Sequence, residues 1–167
     1  MNMRWKTMRI VLAGAVVGLG VWWWAQERDA SMLLEQQQTS LTAGIGQFQQ
    51  KNYEAALQTL RSVPSGHPMG WRARYFEGSS QIMLKDYEAA IGLLEEALLL
   101  NPGHTRIMHA LGVAHFKMGN LAMSKAYFAQ VLEIDPTDEE ARGLMDIMAN
   151  LERMQQDAPA VELPDEG

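Results

Sequence analysis

The chain has 167 residues, 47% of them apolar, which is enough for one modest folded domain with accessories. It contains no cysteine, which excludes disulfides, thiolate metal sites, a thiol nucleophile, covalent haem attachment and a lipid-modified cysteine. The net charge of −6 is unevenly spread: Arg4, Lys6 and Arg9 stand without an acid in residues 1–25, and the remaining eleven basic residues face twenty acidic ones. An acidic body is repelled by phosphate backbones, so no nucleic acid partner is expected.

The first element is the run from Ile10 to Ala25, sixteen residues with no charge. As a helix it reaches about 24 Å, slightly short of a hydrocarbon core of about 30 Å, and Thr7 and Met8 extend it if Arg9 snorkels. Trp22, Trp23 and Trp24 cluster at one end and Trp5 marks the other, as indole rings do at membrane interfaces. Residues 1–25 are therefore expected to be a cytosolic N-terminus and a transmembrane anchor. A cleaved secretory signal is the rival, but the three tryptophans fill the place of the small-x-small cleavage site. Basic residues before the span and Glu27-Arg28-Asp29 after it place the N-terminus in the cytosol and the body outside. In a bacterium this is a single-pass protein of the inner membrane with a periplasmic body. Residues 26–36, rich in Gln, Glu, Leu and Met, are expected to form a helical connector.

From Gln37 to Asp138 a 34-residue pattern repeats three times: Gly44, Gly78 and Gly112 keep that spacing, as do Pro68, Pro102 and Pro136. Fixed self-similarity at this period signals stacked helix pairs. Helix A is predicted over 37–50, 70–84 and 105–117, and helix B over 53–63, 87–100 and 121–134. Asn52, Asp86 and Asn120 are expected to make the turns between them, and the prolines to end each B helix. The recurring glycine is expected to let helix B approach helix A, with Ala56, Ala90 and Ser124 meeting it. The small, bulky and small positions of helix B read Ala56-Leu60-Val63, Ala90-Leu94-Ala97 and Ser124-Phe128-Val131. The pattern resembles tetratricopeptide (TPR) repeats. It departs from that family where Trp is favoured, at Ser40, Arg74 and Met108, and where Tyr is favoured, at Gln47, Gln81 and His115. The resemblance implies an all-α, right-handed solenoid of three helix pairs, repeats 37–70, 71–104 and 105–138.

After Pro136, Thr137 and Glu140 have the spacing of a capping box, and Leu144, Met145, Ile147, Met148 and Leu151 make the following helix amphipathic. This helix, 139–156, is expected to cap the stack and complete a repeat domain over 37–156. The tail 157–167 is acidic with two prolines and is expected to be disordered.

No catalytic constellation emerges. His109 and His115 lie six apart on different faces of one helix, while His67 and His104 stand elsewhere, so no metal site is expected. Adjacent acids such as Glu95-Glu96 point apart on a helix. No phosphate loop or nucleophile elbow is present, and neither enzyme activity nor a cofactor is expected. The resemblance places the second, fifth, ninth and twelfth residues of each repeat in a concave groove. These are Gln38, Leu41, Ile45 and Phe48, then Arg72, Tyr75, Ser79 and Ile82, then Arg106, His109, Val113 and Phe116. Leu41, Ile45 and Phe48 could alternatively be covered by the chain itself. Some TPR proteins hold a terminal carboxylate with Lys and Asn at the fifth and ninth positions, and this chain has neither there. The resulting expectation is a membrane-anchored adaptor that binds a polypeptide in its groove and supports assembly, stability or chaperoning of a membrane or envelope complex. A self-associating scaffold, a homo-oligomer at the membrane, is the second reading.

Overall fold

The computed structural model describes residues 3–156, with side chains over 26–154 and at 156. Seven α-helices follow one another: α1 Met3–Gln49, α2 Tyr53–Leu60, α3 Gly70–Met83, α4 Tyr87–Leu100, α5 Thr105–Lys117, α6 Leu121–Ile134 and α7 Glu139–Gln156, and no strand occurs among the described residues. Each helix packs on its neighbours in the chain, with further contacts from α1 to α3 and from α3 to α5. The result is an all-helical stack in which α1, α3, α5 and α7 are the A helices. Helix α1 runs unbroken through Asp29 and Ser31. The Ser31 hydroxyl donates to the Arg28 carbonyl inside the helix, at 2.8 Å, and caps nothing. Among the described residues no helix is long and apolar enough to cross a membrane. The Ile10–Ala25 run on which the sequence sets a span lies outside the described side chains, and the tail 157–167 lies outside the described residues.

The A-to-B turns share one hydrogen-bond scheme. The amides of Asn52, Asp86 and Asn120 donate to the carbonyls of Gln47, Gln81 and His115, each at 2.9 Å. This is the Schellman closure of a helix C-terminus, which needs a left-handed residue just before the donor. Lys51 (φ 64°), Lys85 (φ 66°) and Gly119 (φ 78°) occupy that position. The unusual dihedral therefore falls one residue earlier than expected, on two lysines and a glycine. Asp86 and Asn120 instead cap the next helix, accepting from the amides of Ala89 and Met123, while Asn52 makes no such bond.

The recurring glycine does admit helix B, but the residue that fills its space is the bulky one. A Cβ on Gly78 would stand 2.6 Å from Leu94 Cγ, and one on Gly112 would stand 2.8 Å from the Phe128 ring. Leu60 occupies the equivalent place beside Gly44. The small residues act next to it: Ser124 Oγ donates to the Gly112 carbonyl at 2.8 Å, and Ala56 and Ala90 are fully buried.

Three apolar clusters run along the stack, centred on Leu41 and Leu60, on Leu94 and Leu111, and on Phe128 and Met148. The first B helix ends at Leu60, three residues short of the predicted Val63. Pro64 is the physical reason, since it biases Val63 away from helix and has no amide to continue the ladder. The 61–69 segment that replaces the missing turns is pinned by Arg74. That guanidinium pairs with Glu77, donates to the Val63 carbonyl at 3.1 Å and to Ser65 Oγ at 3.3 Å, and lies 3.4 Å from Glu96. Ser65 in turn donates to Glu96. Burial holds the Glu77 carboxyl above its ordinary range, an effect the Arg74 and Arg61 guanidiniums only partly offset.

The start of α7 also differs from expectation. Asp138, not Thr137, is its N-cap, accepting from the Ala141 amide at 2.8 Å. The Thr137 hydroxyl is engaged by Asp135 at 2.7 Å, and this bond with the Thr137 amide holds the Asp135 carboxyl below its ordinary range.

Candidate binding groove

The A helices begin at matching repeat positions, so residues 34 apart project alike. The first turns of α5 and α7 touch directly: His109 Nε2 lies 3.5 Å from Glu140 Oε2. A recess of about 280 Å³ opens at this end, lined by Tyr75, Thr105, Arg106, His109, Asp138 and Glu140. It brings together three expected groove residues from α3 and α5 and adds three that the sequence reading did not place there.

The remaining expected residues divide by repeat. Leu41 is only 1% exposed and belongs to the first apolar cluster with Ala56, Leu60, Val63 and Ala73, so it is core and not groove. Its side chain is short enough to sink between α1, α2 and α3. Ile45 and Phe48 are half-buried against the same cluster. The Phe48 ring stands edge-on to Phe76 at 5.3 Å and to Tyr53 at 5.5 Å, so the chain's own aromatics cover much of it. Gln38 is exposed.

In the second repeat Arg72, Tyr75, Ser79 and Ile82 are all half-buried. Tyr75 packs edge-on to Phe76 at 5.1 Å, and its ring lies 6.5 Å from that of His104. In the third, Arg106 is exposed, while Val113 and Phe116 are half-buried against the cluster around Phe128. His109 sits edge-on to Phe128 at 5.2 Å, with its side chain 20% exposed. Tyr75, Ile82, Val113 and Phe116 therefore each bury one side in the core and offer the other to solvent.

The row continues onto α7. Glu140 stands 34 residues after Arg106, and Ile147 34 after Val113; Ile147 is 49% exposed. Both were overlooked because α7 was read only as a cap, although the repeat spacing carries the signal. A Cβ on Gly143 would meet nothing within 4 Å, so the surface between Glu140 and Ile147 is open.

Charge is asymmetric along this surface. Neither Arg72 nor Arg106 has an ion-pair partner among the described residues, Asp138 accepts from the Ala141 amide, and the largely exposed Glu140 carboxylate lies 3.5 Å from His109 Nε2 in the same recess as Arg106. The arrangement offers Arg72 and Arg106, with Asp138 and Glu140 beside the latter, at the N-terminal edge of the A helices and half-buried apolar groups toward their C-terminal ends. No group of three or more potential metal ligands occurs among the described residues. His115 lies away from the groove, buried and stacked on Tyr127 at 5.6 Å. Burial and the nearby Glu95 raise the Tyr127 phenol above its ordinary pKa.

Two family models, both described as tetratricopeptide repeat, match residues 41–104 and 81–157. A BBSome complex member, BBS4 of Xenopus tropicalis, is 26% identical over 95 residues, covering 57% of this chain and 18% of the relative. The chain spans less than a third of the length of the curated relatives it matches. Among solved structures, the second TPR domain of human RPAP3 in complex with an HSP70 peptide, SGPTIEEVD, aligns with a TM-score of 0.63 at 19% identity, covering 71% of this chain and 96% of that domain. The type III secretion translocator chaperone SycD of Yersinia enterocolitica aligns with a TM-score of 0.59 at 17% identity, covering 73% and 93%. Identities this low speak for the fold alone. With the 34-residue register, the paired helices and two matching models, residues 41–157 are tetratricopeptide repeats.

Proposed function

We propose that this protein is an adaptor that holds an extended polypeptide segment across its A helices. The observation that carries the proposal is the apolar row of half-buried Ile82, Val113 and Phe116 and exposed Ile147, bordered by Arg72 and Arg106 without ion-pair partners among the described residues. A contiguous apolar surface of this kind marks an interaction site, and each large side chain a partner covers contributes about 1.5–3 kcal/mol. The RPAP3 domain in its HSP70 complex supports the reading by analogy, since its peptide, SGPTIEEVD, carries three acidic residues among its last four. The fifth and ninth groove positions here lack Lys and Asn, so the arginine edge takes the part of the anion-binding element.

We further propose that the body is anchored in the inner membrane by residues 1–25, with the N-terminus cytosolic and the repeats extracytoplasmic, and that it serves assembly or chaperoning of a membrane complex. The apolar run and its basic flank support this reading. A reporter active only outside the cytoplasm, fused after Gly167, should be active in a bacterial host; activity of only a cytoplasmic reporter overturns the orientation.

The binding proposal is tested by recovering the full chain from native membranes and identifying co-purified polypeptides by mass spectrometry. Arg72→Glu with Arg106→Glu and Ile147→Ser alters one half-buried and two exposed groups along the groove. It should leave the melting temperature within about five degrees and lose the recovered polypeptide, since such surface changes are worth about 0.5 kcal/mol or less each. A folded variant that still recovers the same polypeptide contradicts the proposal. A second reading, self-association through α7, draws on Leu151 and Met154, 37% and 70% exposed; a monomer by light scattering removes it.

A further inference from the structure

We infer that the polypeptide held by the groove is proline-rich and lies across the A helices as a polyproline II helix. The inference rests on the groove reading above and names the class of segment that fits it. Three observations converge.

The first is an unbroken row of rings. Tyr53, Phe48, Phe76, Tyr75, His104 and Trp71 follow one another from the start of α2, across α1 and α3, to the start of α5. Their successive centroids stand 5.5, 5.3, 5.1, 6.5 and 4.7 Å apart. All six are half-buried, so each is held by the core on one side and meets solvent on the other. The row includes the groove residues Phe48 and Tyr75. A run of aromatic side chains anchored in this way is the surface on which pyrrolidine rings pack in polyproline II recognition.

The second is hydrogen-bond complementarity. Tyr53 Oη, Tyr75 Oη and Trp71 Nε1 have no hydrogen-bond partner among the described residues, and none of the three is buried. Arg72, next to Trp71 in the chain, is donor-only and has no ion-pair partner among the described residues. The row therefore offers donors. A proline-rich chain offers carbonyl acceptors along its length and lacks the amide donor at every proline. The carboxylates of the recess, Asp138 and Glu140, meet these rings only at Tyr75.

The third is spacing. Helix α3 contacts both α1 and α5, so the A helices are direct neighbours, and packed helices lie about 8–10 Å apart. A polyproline II helix turns once in three residues at about 3.1 Å each, or about 9 Å per turn. Successive A helices thus meet the same face of the ligand once per turn. Because that conformation is already extended before binding, little ordering entropy is lost on docking.

Trp71 is the only tryptophan beyond residue 25, so its indole N–H reports on the row by itself. Decaproline is titrated into the full chain in detergent micelles and followed by NMR, with a (Gly-Ser)5 peptide of equal length and charge as the comparison. Decaproline should shift the Trp71 indole and Tyr75 ring resonances and bind about tenfold or more tighter than (Gly-Ser)5. Tyr53→Phe with Tyr75→Phe keeps both rings and removes two donors, and should weaken decaproline binding about threefold or more with the amide spectrum of the helices retained. Equal affinity for the two peptides, binding that leaves both rings unshifted, or unchanged affinity in the double variant overturns the inference. If decaproline fails while the groove still captures its polypeptide from membranes, only the proline assignment falls; if capture fails too, the groove reading falls with it.

Discussion

The joints between successive repeats solve one geometric problem in two ways. Between the second and third repeats, α4 runs fourteen residues to Leu100, and Asn101-Pro102 turns the chain directly into α5. Between the first and second, α2 stops after eight residues, and the 61–69 segment fills the missing turns under an Arg74–Glu77–Glu96–Ser65 network. Helical turns satisfy their own backbone groups. The loop needs side chains to do so, and one of those, Glu77, is 1% exposed. An apolar joint thus draws stability from packing, whereas the charged joint draws it from the completeness of a buried network, which fails abruptly if one member is lost.

Arg74→Ala should expose this contrast most strongly. It leaves Glu77 buried without its partner and releases the Val63 carbonyl, a loss of about 3–5 kcal/mol. Short repeat stacks unfold as a unit, so the whole domain should melt at lower temperature. A change of under one degree would show that the network carries no weight.

The Glu77 carboxyl sharpens the comparison through pH. Its pKa is raised in the fold, so the native state holds the proton more tightly than the unfolded chain does. Its burial costs nothing below the ordinary carboxylate range and becomes destabilising as pH rises through the raised value. Glu77→Gln removes the titration. The melting temperature of wild type minus that of the variant should therefore fall between about pH 4 and pH 8. A difference that stays flat, or rises, contradicts the assigned direction.

The turns give the smallest effect. Lys85 adopts φ 66° where Gly119 adopts φ 78° in the next repeat. Lys85→Gly should stabilise by up to about 1 kcal/mol, since glycine removes the left-handed penalty at some cost in chain entropy. Gly119→Ala should destabilise by a similar amount. Thermal unfolding that shows the same sign for both would contradict the shared turn geometry.

How much of this was legible follows from range. The 34-residue register located the helices because it repeats, and α4, α5 and α6 begin and end where the pattern placed them. Register fixes the direction of a side chain and not what covers it: Leu41 points as Tyr75 and His109 do, yet its size lets it sink into the core. Arg74 stood out only as a departure from the family's Trp, because its partner Glu96 lies on another helix and only the fold unites them. At α7, two neighbouring residues could each cap a helix, and the choice of Asp138 over Thr137 turned on Asp135 engaging the Thr137 hydroxyl. Glu140 and Ile147 were legible by spacing and were missed because a terminal helix was given one role.

The central claim, that the A-helix face and not the B-helix face receives a polypeptide, is tested most directly by site-specific photo-crosslinking in the full chain. A photoreactive side chain is placed at Ser79 or Ile147 in the groove and, as the comparison, at Leu99, which is 81% exposed on α4. Irradiation in native membranes should give a discrete polypeptide adduct from Ser79 and Ile147 and none from Leu99. An adduct from Leu99 alone, or equal adducts from all three, would contradict the account.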